Sequence, residues 1–317
     1  MSNNRIQQRM EALRVSGRKA LIPYIVAGDP TPDVTVPAMH AMVEAGADII
    51  ELGMPFSDPF ADGPVNQRGA ERAIVCGTTL RGVLDAVFEF RQTDQETPVV
   101  LMGYLNPLIA MGEIAFCDAC QTSGVDGLLI VDMPPEEEGT LVQAAKARGL
   151  DLIYLAAPTT TDERLKTIGQ ATSGYLYYVS LKGITGSSKL DTTEVAKRIE
   201  HMRQHVSVPI CVGFGIRTAA DAAAISSTAD GSIVGTVLVS QVEKTDSKGK
   251  LQEQYALISQ ENNGRYYYEY GYFQYHDGSC NYNQIRKLTD EELKNIRVIK
   301  PTSMQQIIFA YRESISS

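Results

Sequence analysis

Eight short apolar segments alternate with helical patterns along most of the chain, and this alternation constrains the fold more than any other feature. Each segment is rich in Ile, Val, Leu or Tyr and is too continuously apolar for a sheet with one face in water, which is typical of strands covered on both faces of a sheet. The predicted strands are Ala20–Val26, Ile49–Leu52, Val99–Tyr104, Gly127–Val131, Leu152–Ala156, Tyr175–Val179, Ile210–Gly213 and Ser232–Gly235.

The intervals between these strands carry a helical period, as in Thr79–Gln92, Glu136–Arg148 and Thr192–His205. Strands that alternate with helices predict a parallel sheet with right-handed crossovers. Eight such strands fit a closed (β/α)8 barrel. A doubly wound open sheet is the alternative, but the GxGxxG turn of dinucleotide-binding folds does not follow the first strand.

The composition changes near residue 244, which suggests a catalytic domain over 1–243 and an α+β appendage over 244–317. A polar, linker-like stretch, Lys244–Lys250, begins the appendage, and nine of the fifteen tyrosines lie beyond residue 250. Tyrosine-rich alternation around Gly271 predicts a hairpin. Helical patterns follow over Thr289–Arg297 and Ser303–Ile315.

A closed barrel needs a helix to cover its eighth strand, and two segments of the appendage could supply it. Leu251–Ser259 is barely two turns long. Ser303–Ile315 has a cleaner apolar stripe at helical spacing, with Pro301 ahead of it. We therefore expect the last helix to dock on the barrel. The stripe consists of Met304, Ile307, Ile308, Tyr311 and Ile315.

Charge, hydropathy and cysteine content exclude several classes of protein. The net charge of −9 argues against a nucleic-acid surface. No apolar run approaches the roughly 18 residues that span a membrane, and no signal peptide follows Met1. Five scattered cysteines fit a reducing cytoplasm. Cys117 and Cys120 form a CxxC within a helical pattern, so we expect a structural role for them.

The histidines predict no metal site. His201 and His205 are four residues apart on the predicted helix before strand 7, but no acidic third ligand is evident in the sequence. We therefore expect this pair to lie on a solvated helix face.

Reactive groups in such barrels gather at the carboxyl ends of the strands and in the loops that follow them. Glu51 ends the second strand. The loop after it carries Asp58 and Asp62, and its prolines restrict the backbone. Each acid has an ordinary interpretation, because Glu51 could be solvated and Asp62 could form an Asx turn. The prolines are Pro55, Pro59 and Pro64.

Small residues follow strands 6, 7 and 8. Ser180–Leu190 has the composition of a movable lid. Gly213-Phe214-Gly215 and Gly235-Thr236 end adjacent strands, where backbone N–H groups can approach an anion. These glycines could also serve only to turn strand into helix. Together with the two acids, however, they favour a site for a phosphorylated substrate.

Several motifs resemble the α subunit of tryptophan synthase. The resemblance runs from about residue 5 to about residue 242, in order and with the family's spacing, whereas 244–317 does not resemble the family. The motifs are ALIPYIVAGDP (Ala20–Pro30), ADIIELGMPFSDPFADGP (Ala47–Pro64), GVDGLLIVDMPPEE (Gly124–Glu137), GITG (Gly183–Gly186) and GFGI (Gly213–Ile216).

The resemblance implies a carbon–carbon lyase of tryptophan biosynthesis that cleaves indole-3-glycerol phosphate to indole and glyceraldehyde 3-phosphate. It implies that Glu51 relays protons and that Asp62 accepts the indole N–H bond. Thr185 would close the site and contact Asp62. The implied indole pocket consists of Tyr24, Tyr104 and Tyr177, and the implied phosphate site of Gly186, Gly213, Gly215, Gly235 and Thr236.

The resemblance also implies a partner. The family works in the cytoplasm with a β subunit that carries pyridoxal phosphate, in an α2β2 assembly, and the α chain itself needs no cofactor. Pro55, Asp58 and Pro59 would face that partner. Two alternatives remain open: a carrier barrel whose appendage is a protein-binding module, and a sugar-phosphate isomerase, which would lack the Asp62 loop. The appendage could be a natural fusion, an engineered join or an insertion before the last helix.

Overall fold

The computed structural model describes residues 4–137, 139–180, 192–213, 216, 218–245, 274–276, 279–281 and 303–316. Nine parallel strand segments form its central sheet, in the order β5-β4-β3-β2-β1-β9-β8-β7-β6. The segments are β1 (Ala20–Val26), β2 (Ile50–Gly53), β3 (Val99–Gly103), β4 (Gly127–Ile130), β5 (Asp151–Leu152), β6 (Leu155–Ala156), β7 (Leu176–Val179), β8 (Ile210–Gly213) and β9 (Gly231–Val234).

The two outermost segments, β5 and β6, belong to one continuous stretch of chain, so the sheet closes into a barrel. Between them, the Ile153 N–H donates to the Leu128 carbonyl at 2.9 Å, and the Tyr154 carbonyl accepts from the Tyr177 N–H at 3.0 Å. The first part of this stretch, β5, therefore pairs with β4, and the second part, β6, pairs with β7. The predicted (β/α)8 barrel is confirmed, and its fifth strand is divided into two short segments.

Helices surround the barrel. They are α1 (Arg5–Val15), α2 (Thr35–Glu44), α3 (Pro64–Val75), α4 (Leu80–Phe90), α5 (Leu105–Met111), α6 (Glu113–Ser123), α7 (Thr140–Ala147), α8 (Asp162–Ala171), α9 (Thr192–Met202), α10 (Ala219–Ser226), α11 (Thr236–Thr245) and α12 (Ser303–Ser316).

Helix α4 shows how the sequence sets these elements. The Thr79 hydroxyl accepts from the Gly82 N–H at 3.1 Å and caps the first turn. The apolar positions Val83, Val87 and Phe90 then fall on one buried face. The predicted helical stretch Thr79–Gln92 thus contains the observed helix. Its N-cap is Thr79, the residue directly before the helix begins.

Alternation along each strand separates two apolar layers. Ile22, Ile49, Val100 and Ile233 point into the barrel, and residues of α1 pack against this interior cluster. Their neighbours on the strands, such as Leu21, point outward into the larger layer beneath the helices. The barrel interior is therefore a packed core, and the functional groups must lie at its rim.

The last described helix, α12, packs on α10, α11, α2 and β1. Ile308, Tyr311 and Ile315 are buried in the outer apolar layer. The Arg312 Nη1 atom donates to the Lys19 carbonyl at 2.9 Å and to Asp48 Oδ2 at 2.8 Å. The C-terminal helix thus completes the ring of helices around the barrel.

Three sequence predictions about element ends need correction. Helix α9 ends at Met202, so His205 lies in the following turn rather than on the helix. Helix α11 continues to Thr245, so the first two residues of the predicted linker are helical. Helix α7 begins at Thr140 rather than at Glu136, because Pro134 and Pro135 lead into a turn.

Strands β10 (Gln274–His276) and β11 (Ser279–Asn281) form an antiparallel pair in which His276 opposes Ser279. Two residues, Asp-Gly, separate the strands, and this dipeptide is a stronger hairpin signal than the tyrosine alternation around Gly271. Gly271, Leu251–Ser259 and Thr289–Arg297 lie outside the described residues. The division into domains at residue 243 stays a prediction.

The described helices include none that is long and apolar enough to cross a membrane. Cys117 and Cys120 lie buried in α6 with free thiols, as a helical interpretation of the CxxC predicts.

Candidate active site

Glu51 lies in β2 with its side chain completely buried. The Tyr175 hydroxyl donates to Glu51 Oε1 at 2.5 Å, whereas Oε2 has no hydrogen-bond partner within the described part of the chain. Burial raises the pKa of Glu51 to about 7, and the bond from Tyr175 opposes this shift. A carboxyl group with this pKa can both give and accept a proton at neutral pH.

Asp62 lies in the loop between β2 and α3, and several polar groups fix its position. The Tyr104 hydroxyl donates to Asp62 Oδ2 at 2.8 Å and accepts from the Ala61 N–H at 3.1 Å. The Gln67 amide donates to the Asp62 carbonyl at 2.8 Å. Burial raises the pKa of Asp62, while hydrogen bonds from Tyr104 and Asn66 lower it. The loop is thus held from both the barrel rim and α3.

The charges of both acids affect the pKa values of two further tyrosines, Tyr24 and Tyr177. The pKa of Tyr24 is raised well above its usual value, first by burial and then by the charges of Asp62 and Glu51. The pKa of Tyr177 is raised by burial, Glu51 and Asp62. Since each phenol senses both carboxylates, Glu51 and Asp62 lie at the same end of the barrel.

Glycines make room for these tyrosine rings. A Cβ atom at Gly53 would overlap the Tyr24 hydroxyl, and one at Gly213 would overlap the Tyr177 ring. Both glycines end strands at the barrel rim. Gly213 is therefore needed for the fit of Tyr177, in addition to any role in ligand binding.

A small cavity lies beside Asp62. Its lining is mostly aromatic and aliphatic, and the rings of Phe56 and Phe60 each lie 5.4 Å from the Tyr104 ring. Walls of this kind, with a carboxylate among them, offer a ligand apolar contacts and one charged hydrogen-bond acceptor. The lining includes Tyr24, Met54, Phe56, Pro59, Asp62, Asn66, Met102, Tyr104 and Val131.

The neighbouring strand ends offer backbone groups for an anion. Gly213 ends β8, Gly235 follows β9, and Thr236 begins α11, so a helix N-terminus lies next to two glycine strand ends. Free N–H groups and the helix dipole favour a phosphate there. Thr185, Gly186 and Gly215, the other predicted members of this site, lie outside the described residues.

Ion pairs tie α11 to its surroundings. Arg72 donates two bonds of 2.8 Å to the carboxylate of Asp29, which follows β1. Arg68 forms a bidentate pair with Glu243 of α11, and Arg72 also approaches Glu243 at 3.6 Å. The helix at the candidate phosphate site is thereby fixed against α3 and the rim of β1.

The proline-rich loop presents an exposed surface beside the cavity. The Ser57 hydroxyl donates to Asp58 at 2.6 Å, and the Phe60 N–H donates to the Asp58 carbonyl at 2.8 Å. The Phe60 side chain is 73% exposed. Pro55 and Pro59 restrict the same loop. An ordered loop with an exposed aromatic residue is a candidate contact surface for another protein.

Sequence reasoning did not identify Tyr175, the partner of Glu51, or Asn66, which bonds to Asp62 in addition to Tyr104. Strand periodicity contains the signal for Tyr175, since it lies two residues before Tyr177 and both face the barrel interior. The bond between Tyr175 and Glu51 joins residues 124 apart, and no local pattern encodes such a separation.

These features define a (β/α)8-barrel protein with one buried and one half-buried carboxyl group at the end of the barrel where a helix begins after a glycine strand end. Its sequence matches the family model for the tryptophan synthase alpha chain over residues 10–265. It is 57% identical to the tryptophan synthase alpha chain of Marinobacter nauticus over 241 residues, 76% of this chain and 89% of that one. It is 52% identical to that of Laribacter hongkongensis over 259 residues, 81% and 98% of the two chains. The chain belongs to the tryptophan synthase alpha chain family.

Solved structures give the same family. The tryptophan synthase alpha subunit of Legionella pneumophila str. Paris superimposes with a TM-score of 0.77 and 35% identity, covering 99% of this chain and 98% of that chain. The aminoacrylate-bound tryptophan synthase of M. tuberculosis gives a TM-score of 0.69 and 34% identity. That alignment covers 76% of this chain and 92% of the other chain. The first of these alignments extends over nearly the whole of this chain.

Proposed function

We propose that this chain is a carbon–carbon lyase that cleaves indole-3-glycerol phosphate to indole and glyceraldehyde 3-phosphate. The observation that carries the proposal is the buried Glu51, with a pKa of about 7, at the same end of the barrel as Asp62. Family membership supplies the substrate, and the site supplies groups suited to a retro-aldol reaction.

Glu51 is the proton relay. The cleavage needs a proton at indole C3 and removal of a proton from the neighbouring side-chain hydroxyl. One carboxyl group can do both when its pKa lies near the working pH. The Tyr175 hydroxyl occupies Oε1 and leaves Oε2 to meet the substrate. Tyr175 is a positioning residue in this scheme, because it fixes the carboxyl group without contacting the reacting carbon.

Asp62 stabilises positive charge on the indole ring. Protonation at C3 places charge on the ring nitrogen, and a carboxylate that accepts the N–H bond favours that state. Burial raises the pKa of Asp62, and the bond from Tyr104 orients the carboxylate and opposes that rise. Tyr24, Tyr104 and Tyr177 form the indole pocket around these acids.

The phosphate binds at the opposite end of the substrate. Gly213, Gly235 and the Thr236 hydroxyl supply donors next to the α11 N-terminus, and the ion pairs of Glu243 hold that helix in place. Thr185, Gly186 and Gly215 complete the phosphate site and its closure in this proposal.

The partner is a β subunit that carries pyridoxal phosphate, in a cytoplasmic α2β2 assembly, and this chain needs no cofactor of its own. The exposed Phe60 and the loop residues Pro55, Asp58 and Pro59 support a docking surface next to the indole pocket. The free thiols of Cys117, Cys120 and Cys211 support a reducing compartment.

Residues 1–243 form the catalytic barrel, and the tyrosine-rich part of 244–317 is an insertion before the last helix. The packing of α12 on α10 supports this over a terminal fusion. A carrier barrel with a binding appendage is not favoured, because the barrel keeps both acids, Glu51 and Asp62. It also keeps Gly213 and Gly235, the two proposed phosphate-site glycines that the structure describes.

The purified chain, incubated with indole-3-glycerol phosphate, should release indole and glyceraldehyde 3-phosphate in equal amounts. Asp62→Asn should reduce the rate severely, because a neutral amide does not offset the charge on the ring. Asp58→Asn is the matched control, since this acid lies in the same loop and should leave turnover without the β subunit near normal. No indole from the intact chain, or equal rates for Asp62→Asn and Asp58→Asn, would contradict the proposal.

A further inference from the structure

The fold brings an acidic side chain to the His201/His205 pair. Asp162 is the first residue of α8, His201 lies in the last turn of α9, and His205 lies in the turn after that helix. The His201 Nε2 atom lies 2.7 Å from Asp162 Oδ1, and His205 Nε2 lies 3.9 Å from Asp162 Oδ2. One ligand atom from each residue lies within 4.8 Å of the other two.

A simple ion pair accounts for only part of this arrangement. His201 and Asp162 satisfy each other by a hydrogen bond, but His205 Nε2 is buried and has no hydrogen-bond partner within the described part of the chain. The two imidazole rings meet edge to face, with their centroids 5.2 Å apart. At 3.9 Å from the Asp162 carboxylate, this buried ring nitrogen is too far away for a good hydrogen bond, and a cation held between the two groups would bond to both.

The chemistry of the three groups selects a class of ion. Ca²⁺ and Mg²⁺ prefer oxygen ligands, whereas Zn²⁺ and related transition metals accept imidazole nitrogen together with carboxylate oxygen. Ligand atoms around tetrahedral Zn²⁺ are about 3.3 Å apart, given bonds of about 2.0–2.2 Å. The separations of 2.7 and 3.9 Å, which run from the two histidines to different oxygens of Asp162, lie on either side of that value.

We propose that Asp162, His201 and His205 bind one divalent transition-metal ion of the Zn²⁺ type, outside the catalytic site. The ion takes two imidazole nitrogens and one carboxylate oxygen, with water in its remaining positions. The charge of Arg198 also acts on Asp162 and weakens the attraction for a cation. The Arg198 guanidinium is, however, bonded to the Thr160 carbonyl and is thereby kept on the loop before α8.

Such an ion links the start of α8 to the end of α9. Helix α9 leads into β8, which ends at Gly213, so the ion would fix the outer support of a strand that borders the active site. A ligand that binds only the folded chain raises its thermal stability in proportion to the logarithm of its concentration above Kd. Added Zn²⁺ should therefore raise the melting temperature of the metal-free chain.

The test uses the full chain, freed of metal with a chelator and titrated with Zn²⁺ by calorimetry and thermal denaturation. His201→Gln and His205→Gln each remove one ligand from a surface or half-buried site, and their melting temperatures in chelator show whether they fold. His40→Gln and His276→Gln are matched controls, because these histidines lie on α2 and β10. Co²⁺ provides an optical readout of coordination by nitrogen and oxygen.

We expect one Zn²⁺ per chain, weaker by at least about tenfold in either ligand variant, since a lost ligand costs an open site much of its affinity. The controls should bind as the unmodified chain does. Co²⁺ should give a visible d–d band that both ligand variants lose. Binding that is unchanged in His205→Gln, or that is lost in His40→Gln or His276→Gln, would overturn the proposal, as would no binding at all.

Discussion

In the proposed mechanism Glu51 couples catalysis to folding stability, because the buried carboxyl group that would relay protons is costly to ionise. Its pKa is about 7 in the folded chain, against 4.5 when it is exposed. The folded state therefore holds the proton more tightly. Its contribution to the free energy of unfolding is fully present below pH 4.5 and is lost as the pH rises through 7.

Replacing Glu51 by Gln should remove this pH dependence. The free energy of unfolding of the unmodified chain should fall relative to that of Glu51→Gln as the pH rises from about 4.5 to 7, by on the order of 3 kcal/mol in total. Urea denaturation at several pH values across this window measures the difference. Parallel stability curves for the two proteins would contradict complete burial of an ionisable Glu51.

Tyr175 should tune the acid without taking part in bond cleavage. Its hydroxyl bond lowers the pKa of Glu51, so Tyr175→Phe should raise that pKa further and shift the corresponding limb of the pH–rate profile to higher pH. The profile of indole release measures this shift. A loss of rate that is uniform at every pH would instead indicate a purely structural role for Tyr175.

At the scale of elements, the sequence predicted the strands well because they are largely buried on both faces and their segments are therefore mostly apolar. The interruption of strand 5 at Ile153 and Tyr154 was not predictable, because it arises from pairing with β4 on one side and β7 on the other. The end of α9 before His205 was also missed, since its apolar period continues to Val206, which is buried beyond the helix.

The site shows the same division between local and long-range information. Glu51 and Asp62 were predicted because they lie at a strand end and on its loop. The contact of Asp162 with His201 spans 39 residues and joins two different helices, so the histidine pair had no visible acidic partner in the sequence.

The ion pairs of α11 should matter for substrate binding more than for turnover. Glu243→Gln removes the partner of Arg68 and weakens the link between α11 and α3. Exposed pairs are worth about 0.2–1 kcal/mol, so KM should rise by a few-fold at most while kcat changes little. Glu194→Gln, which breaks an exposed pair with Lys197 on α9, is the matched control. A fall in kcat with unchanged KM would contradict a positioning role for α11.

At the scale of the whole molecule, the C-terminal helix is part of the barrel's outer layer. The family model matches as far as residue 265, past the expected limit of about residue 242, and ends before this helix begins. The Ile308 side chain is 2% exposed, whereas its neighbour Phe309 is 56% exposed. This contrast follows the predicted apolar stripe. The fold of the tyrosine-rich stretch could not be predicted, because its composition offers alternation and turn signals without a continuous apolar face.

Ile308→Ala should therefore destabilise the barrel itself. Removing a buried isoleucine side chain typically costs about 2–5 kcal/mol. Phe309→Ala, one position along the same helix, should cost far less because its ring is mostly exposed. Thermal denaturation followed by far-ultraviolet circular dichroism gives the melting temperatures of the two variants. Equal melting temperatures for these variants would show that α12 is a separate passenger.

The rate of indole formation by Glu51→Gln tests the central claim most directly. Gln keeps the size of the side chain but neither gives nor takes the proton that cleavage requires. Loss of general acid–base help typically costs about 10² to 10⁴ in rate, and we expect a loss of at least that size in a variant that still binds the phosphorylated substrate. Near-normal turnover by Glu51→Gln would contradict the account.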